Sequence, residues 1–360
     1  YRAHRYLHSF PTRRSSDLEG PYVRDILEQP AALRTLRSQL QPSAALRGLA
    51  RKLANGTLRR VVLTGMGSSL YALYPLYLAL NRHGLNVCWI ETAELLLGFD
   101  SFYGSDTLLI AVSQSGASAE ITTLLSRAGE FGQVLGITNH EASTLGQTAG
   151  STLLLHAGVE STVSCKSYLN TLAALHWLGA LLGDGDLDLA LRQLQAAEEA
   201  VQAYLDHWRD HVREWIGLTD DLQSLFITGR AESLATTATA GLILKESTRY
   251  PAEGMSCAAF RHGPLELIGP RTLVLVFAGD ARTTSLNRRL FDDIQQPGGR
   301  AAWVATDGAS SPALLLPPTA PILRPIVEIL PIQLLSLALA ARAGREAGRF
   351  ERATKITTVA

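Results

Sequence analysis

Runs of five or six apolar residues, each followed by a small-residue turn and a stretch of helical periodicity, recur along this 360-residue chain, and the series starts twice. Strands that alternate with helices in this way are joined by crossovers, and crossovers put helices on both faces of a parallel sheet. The first series predicts strands over Arg60–Thr64, Asn86–Ile90, Leu108–Val112, Val134–Thr138 and Thr152–His156. Helices are expected over Leu70–Arg82, Ala119–Phe131 and Tyr168–Leu182. The rhythm resumes at Leu225–Thr228, with a helix from Leu234 to Tyr250, strands over Leu273–Ala278 and Ala301–Ala305, and a last helix over Ile326–Ala343. The expected class is α/β, with two tandem three-layer αβα units on parallel sheets.

The expected division of the chain follows. Residues 1–18 are rich in Arg and Ser, show no amphipathic period and resemble translated adapter sequence, so they are expected to be an artefactual leader. Residues 19–48 form an N-terminal helical segment in which Tyr22, Ile26, Leu27, Leu33, Leu36 and Leu40 recur at helical spacing. The first unit takes 49–186, a connector rich in Ala, Gln and Glu takes 187–216, the second unit takes 217–345, and 346–360 form a tail.

Charge excludes several function classes. Lysine plus arginine total 33 and so do the acids, leaving no long-range field for nucleic acid or an anionic membrane. Cys88, Cys165 and Cys257 are far apart with no CxxC or Cys/His cluster, so no disulfide framework, metal site or cofactor is expected. Apolar stretches such as Ile329–Ala341 are too short to cross a bilayer, and a cytoplasmic location is expected.

An anionic ligand would therefore be held by local donors. Two expected strand-to-helix turns supply them: Gly65-Met66-Gly67-Ser68-Ser69, and Ser113-Gln114-Ser115-Gly116-Ala117-Ser118. Glycines admit a phosphate to the backbone, and hydroxyls and free N–H groups at helix starts donate to its oxygens. The plain alternative is that each loop merely caps the next helix. Neither completes GxGxxG, so a dinucleotide is not indicated.

With these loops in tandem α/β units, residues 20–360 resemble the SIS (sugar isomerase) family, in particular the isomerase half of glucosamine-6-phosphate synthase and its stand-alone relatives. The resemblance implies two flavodoxin-like SIS domains and a bound phosphorylated sugar or amino sugar. It implies sugar-phosphate contacts from Gly67, Ser68 and Ser69, from Ser113, Gln114, Ser115 and Ser118, and from a third loop, Glu160-Ser161-Thr162-Val163-Ser164-Cys165-Lys166. That loop is similar to the family's E-x-x-VASTK but one residue shorter; Val163 and Ser164 are its candidates, with Ser164 or Cys165 facing the sugar.

In the second unit Gly229-Arg230 matches the family's GRG turn, and Lys245-Glu246 stands sixteen positions before His262 of Arg261-His262-Gly263-Pro264, the family spacing of K-E…KHGP. Lys355 lies five residues from the end, like the family's tail lysine. Singly, a helical glutamate, a turn histidine and a terminal lysine are ordinary. The resemblance implies that they are catalytic: Glu246 as the base of an aldose–ketose proton transfer, His262 opening the sugar ring, and Lys355 at the developing oxyanion or as a Schiff base. It also implies a homodimer with shared sites, because the family histidine comes from the neighbouring subunit.

Thr239 and Ile243 replace a family glutamate and lysine, and Ala360 replaces the family's C-terminal glutamate. No N-terminal cysteine nucleophile of a glutaminase is found, which sets the expectation of an isomerase, an amino-sugar-phosphate deaminase or a ketoamine-phosphate deglycase. Two alternatives remain: a non-catalytic sugar-phosphate sensor, and an isomerase subunit served by a separate glutaminase.

Overall fold

Two fully parallel five-stranded sheets organise the protein, whose computed structural model describes residues 18–296, 298–306, 313–352, 354 and 355. Strands β1 (Arg60–Gly65), β2 (Asn86–Glu91), β3 (Thr107–Val112), β4 (Gln133–Thr138) and β5 (Ser151–Leu154) form the first, in the order β2-β1-β3-β4-β5. Strands β6 (Ser224–Gly229), β7 (Ala252–Ser256), β8 (Thr272–Phe277), β9 (Arg300–Ala305) and β10 (Ala313–Leu315) form the second, in the order β10-β9-β8-β6-β7. Read from its other edge, the second sheet repeats the winding of the first, with its opening strand between the second and third. That is the flavodoxin-like order, and it leaves a crevice beyond the carboxyl ends of the paired first and third strands.

The central strands show why the class was legible. β3 (TLLIAV) and β8 (TLVLVF) are buried at every position, as strands covered on both faces must be. The two edge strands of the second sheet were missed for the complementary reason. β7 (AEGMS) is mostly half-exposed and has no apolar run, while β10 has only three residues.

Three expected helices are each split in two. Residues 22–40 form Pro21–Leu27 and Gln29–Gln39, residues 70–82 form Gly67–Ala72 and Tyr74–Arg82, and the connector forms Leu187–Leu205 and Trp208–Leu218. At the first two breaks a proline (Pro30, Pro75) occupies the opening turn of the second helix, where its missing N–H is tolerated.

The helix Arg324–Arg342 ties the two sheets together. It packs on the helices Lys166–Leu182, Leu187–Leu205, Trp208–Leu218 and Ser233–Thr248. Every residue from Pro325 to Ala340 is buried, and one apolar cluster runs through both units. This corrects the expectation about apolar length: Pro321–Arg342 is long and apolar enough to cross a membrane, with mean hydropathy 1.7. Here 89% of its most apolar window is buried inside the protein instead. Residues 1–17 of the expected leader (1–18) and Ala360 lie outside the described residues.

Candidate functional site

A cavity of about 380 Å³ opens beyond the carboxyl ends of β1 and β3, where the winding of the first sheet reverses. The turn after β1 enters the helix Gly67–Ala72, and Gly67, Ser68 and Ser69 line the floor. The turn after β3 brings Ser113, Gln114, Ser115 and Ser118 to the adjoining wall.

The second loop is held from behind. The Ser113 amide donates to the Ile137 carbonyl (3.0 Å), and the Gln114 carbonyl accepts from the Asn139 amide (3.1 Å). Within the turn, the Ser113 hydroxyl accepts from the Gly116 amide at 3.1 Å. Gly116 has φ +64°, and a Cβ there would lie 2.0 Å from Ser143 Oγ and 2.8 Å from Thr138 Oγ1, so only glycine fits. Ser118 is the N-cap of the helix Ala119–Ser126, yet its side chain caps nothing, which leaves that hydroxyl to the cavity.

The opposite wall belongs to the second unit. On the helix Ser233–Thr248, Leu242 and Glu246 are one turn apart and share a face. Leu242 approaches the first loop so closely that a Cβ on Gly67 would be 3.3 Å from its Cδ2. Glu246 follows on the same face, half-buried at the cavity wall, and burial alone pushes its carboxyl up to about 7.

The third loop and the tail complete the enclosure. Of the two candidates in that loop, Ser164 lines the cavity, while Cys165 is fully buried. Val163, expected at the sugar, is likewise fully buried in the apolar core and does not line the cavity. Lys355 does line it and is its sole cation among the described residues; its ammonium donates to the Glu160 carbonyl and lies 3.4 Å from Glu160 Oε2.

His262 is not brought into this cavity. It is exposed at the C-terminal end of the helix Cys257–Arg261, on the second unit. The positions that replace the family acid and lysine, Thr239 and Ile243, are fully buried and contribute nothing to the cavity surface. Sequence reasoning missed Leu242, Thr162, Phe350 and Glu160 as lining residues. For Leu242 the signal was present, since it stands four positions before Glu246 on the same helix.

The fold and cleft thus define a parallel α/β protein whose polar, hydroxyl-rich site lies at a topological switch point between two units. Residues 58–181, within the first unit, match the SIS domain family. Over 351 residues the chain is 28% identical to the isomerizing glutamine–fructose-6-phosphate aminotransferase of Pyrococcus horikoshii, an alignment covering 94% of this chain and 57% of that protein. A Thermus thermophilus relative of the same name is also 28% identical, with 94% of this chain and 58% of the relative covered, so the chain spans well under two thirds of either.

Among solved structures, the C-terminal domain of glucosamine-fructose-6-phosphate aminotransferase from Francisella tularensis superposes with a TM-score of 0.82 at 19% identity. That match covers 94% of this chain and 100% of the other. Tagatose-6-phosphate ketose/aldose isomerase from Escherichia coli superposes with a TM-score of 0.80 at 20% identity, covering 93% and 96%. At these identities the likeness is one of fold.

Proposed function

We propose that this is a double-SIS sugar-phosphate enzyme, an aldose–ketose isomerase or amino-sugar-phosphate deaminase, with Glu246 as its base. The observation that carries the reading is Glu246 itself: a carboxyl poised at about 7 by burial, facing two loops of hydroxyls across a cavity of about 380 Å³. A base with that proton affinity accepts and returns a proton at neutral pH with little loss in either direction.

In this reading Ser68, Ser69, Ser113, Ser115 and Ser118 hold the phosphate, with Gln114 and Ser164 orienting the sugar, because the loops offer donors and no cation. Glu246 removes the proton from the carbon beside the carbonyl or imine carbon and delivers it to the neighbouring carbon. An enediol forms from a sugar and an enolamine from an amino sugar. With an amino aldose the product is a ketose imine, and water adds to it to release ammonia. Lys355 faces the oxygen on which negative charge grows, as a proton donor or ion-pair partner.

His262 serves as the ring-opening group of a partner's site within a homodimer, which accounts for its exposure here. The activities for which these relatives are named support the substrate class. The assay is sugar-product and ammonia release from glucosamine 6-phosphate, galactosamine 6-phosphate and fructose 6-phosphate, run beside Glu246→Gln. Turnover abolished by the substitution establishes the enzyme, and ammonia distinguishes deaminase from isomerase. Tight binding without turnover by the native protein would instead establish a sugar-phosphate sensor, the second reading, favoured by the absence of His262 from the cavity lining of its own chain.

A further inference from the structure

We infer that Glu160 is the positioning residue for the tail lysine: the side chain that fixes the third loop also holds Lys355 at the cavity. The inference rests on reading that cavity as the sugar-phosphate site. Glu160 has 1% of its side chain exposed. Its Oε1 accepts from the amides of Cys165 (2.9 Å) and Ser167 (3.0 Å). Its Oε2 accepts from the Ser167 hydroxyl (2.7 Å), which in turn lies 2.9 Å from the hydroxyl of Ser164 on the cavity surface. The same Oε2 faces the Lys355 ammonium, which also donates to the Glu160 carbonyl. One residue thereby sets both a lining hydroxyl and the cavity's cation.

The tail reaches this point along a pinned route. The Gly348 amide donates to the Ser247 carbonyl (3.1 Å), next to Glu246 in the sequence. A Cβ on Gly348 would lie 2.9 Å from Tyr22 Cβ and 3.0 Å from Thr162 Oγ1, so the chain passes through a slot with no spare width. Glu351 then pairs with Arg249, and Phe350 lines the cavity. Beyond these holds, a lysine near a chain end would sample many rotamers, and Glu160 is what selects one. The other lysine of this region, Lys166, is already committed to Asp25 (3.0 Å) and Glu28 (2.6 Å), so the two ammonium groups do not exchange partners.

Glu160→Gln separates the two roles. The amide oxygen still accepts from Cys165 and Ser167, and the Ser167 hydroxyl can turn to accept from the new NH2. That NH2 faces the Lys355 ammonium as donor against donor. The chain has four lysines, Lys52, Lys166, Lys245 and Lys355, so competitive reductive methylation of the 360-residue chain read by mass spectrometry assigns every site. In the native protein Lys355 should react about tenfold more slowly than exposed Lys245, and in Glu160→Gln it should approach Lys245, as loss of one charge-assisted hold predicts. Lys166 should not change.

Where the native enzyme turns over a sugar phosphate, the substitution should lower kcat about tenfold or more with KM within about twofold, and Glu160→Asp should recover part of the loss. Lys355 reacting like Lys245 in the native protein would overturn the inference. So would an unchanged Lys355 rate in a folded Glu160→Gln, or a rise in KM with kcat intact. If that variant does not fold, the native Lys355-to-Lys245 ratio decides alone. Absence of turnover by the native protein would count against the proposed activity, while the methylation rates would still decide the role of Glu160.

Discussion

Glu246 and Glu328 are both carboxyls pushed up to about 7, yet their surroundings give them different work. Glu246 faces a cavity and has burial as its only perturbation, so it is free to exchange a proton with a ligand. Replacing it by glutamine should lower kcat by about 10²–10⁴ and leave sugar-phosphate binding nearly intact. Because the ionised form is the base, kcat/KM should fall about tenfold per pH unit below pH 7, and a flat profile between pH 5 and 7 would remove Glu246 from that role.

Glu328 is sealed within the helix Arg324–Arg342. Burial raises it, while the hydroxyls of Ser233 (2.7 Å) and Thr236 (3.0 Å) and the charge of Arg324 pull the other way. A raised value means that the folded chain holds this proton more tightly than the unfolded chain does. Its stabilising effect is complete below the ordinary value of 4.5 and is lost as pH rises to about 7. Glu328→Gln should therefore stabilise the protein more at pH 8 than at pH 5, by up to about 3 kcal/mol in urea unfolding. Equal effects at the two pH values would mean that Glu328 is not neutral in the fold.

At the scale of elements, the turns matter more than the helices they start. Gly116→Ala would place a methyl carbon inside the van der Waals radius of Ser143 and demand φ +64° of alanine. The loop must shift, and sugar-phosphate affinity should fall about tenfold or more, with about 1–3 kcal/mol of stability. Calorimetric titration and a melting curve measure the two losses. The equivalent turn after β6 shows the opposite case. Ala231 sits at φ +51°, where the family's GRG turn has glycine. The left-handed cost to alanine of about 1–2 kcal/mol exceeds the entropic cost of glycine, about 0.5–1 kcal/mol, so Ala231→Gly should raise the melting temperature by a few degrees. This is visible only in the dihedral angle. Read as a string, Gly229-Arg230-Ala231 shows the motif but not the strain at its third position.

For the molecule as a whole, the helix Ser233–Thr248 of the second unit closes a cavity whose loops belong to the first, so neither unit alone has a complete site. If His262 completes a partner's site, mixing Glu246→Gln with His262→Asn chains through a denaturation–renaturation step should restore about a quarter of native turnover. Random pairing yields half heterodimers, each with one intact site. No recovery, with both variants inactive alone and the mixture dimeric, would place His262 outside the chemistry.

The sequence by itself determined the parallel α/β class, because β3 and β8 are apolar at consecutive positions and only a strand buried on both faces reads so. It also determined the small-residue turns, since their glycines answer to local backbone geometry. Tertiary structure decided what no local pattern encodes. It set which face of each loop looks inward, turning Ser164 to the cavity and Val163 to the core. It covered a membrane-length helix with protein, and it carried a tail lysine back across 195 residues of sequence to Glu160. Those outcomes depend on contacts between segments far apart in the chain, where burial and charge pairing are settled only once the two units pack.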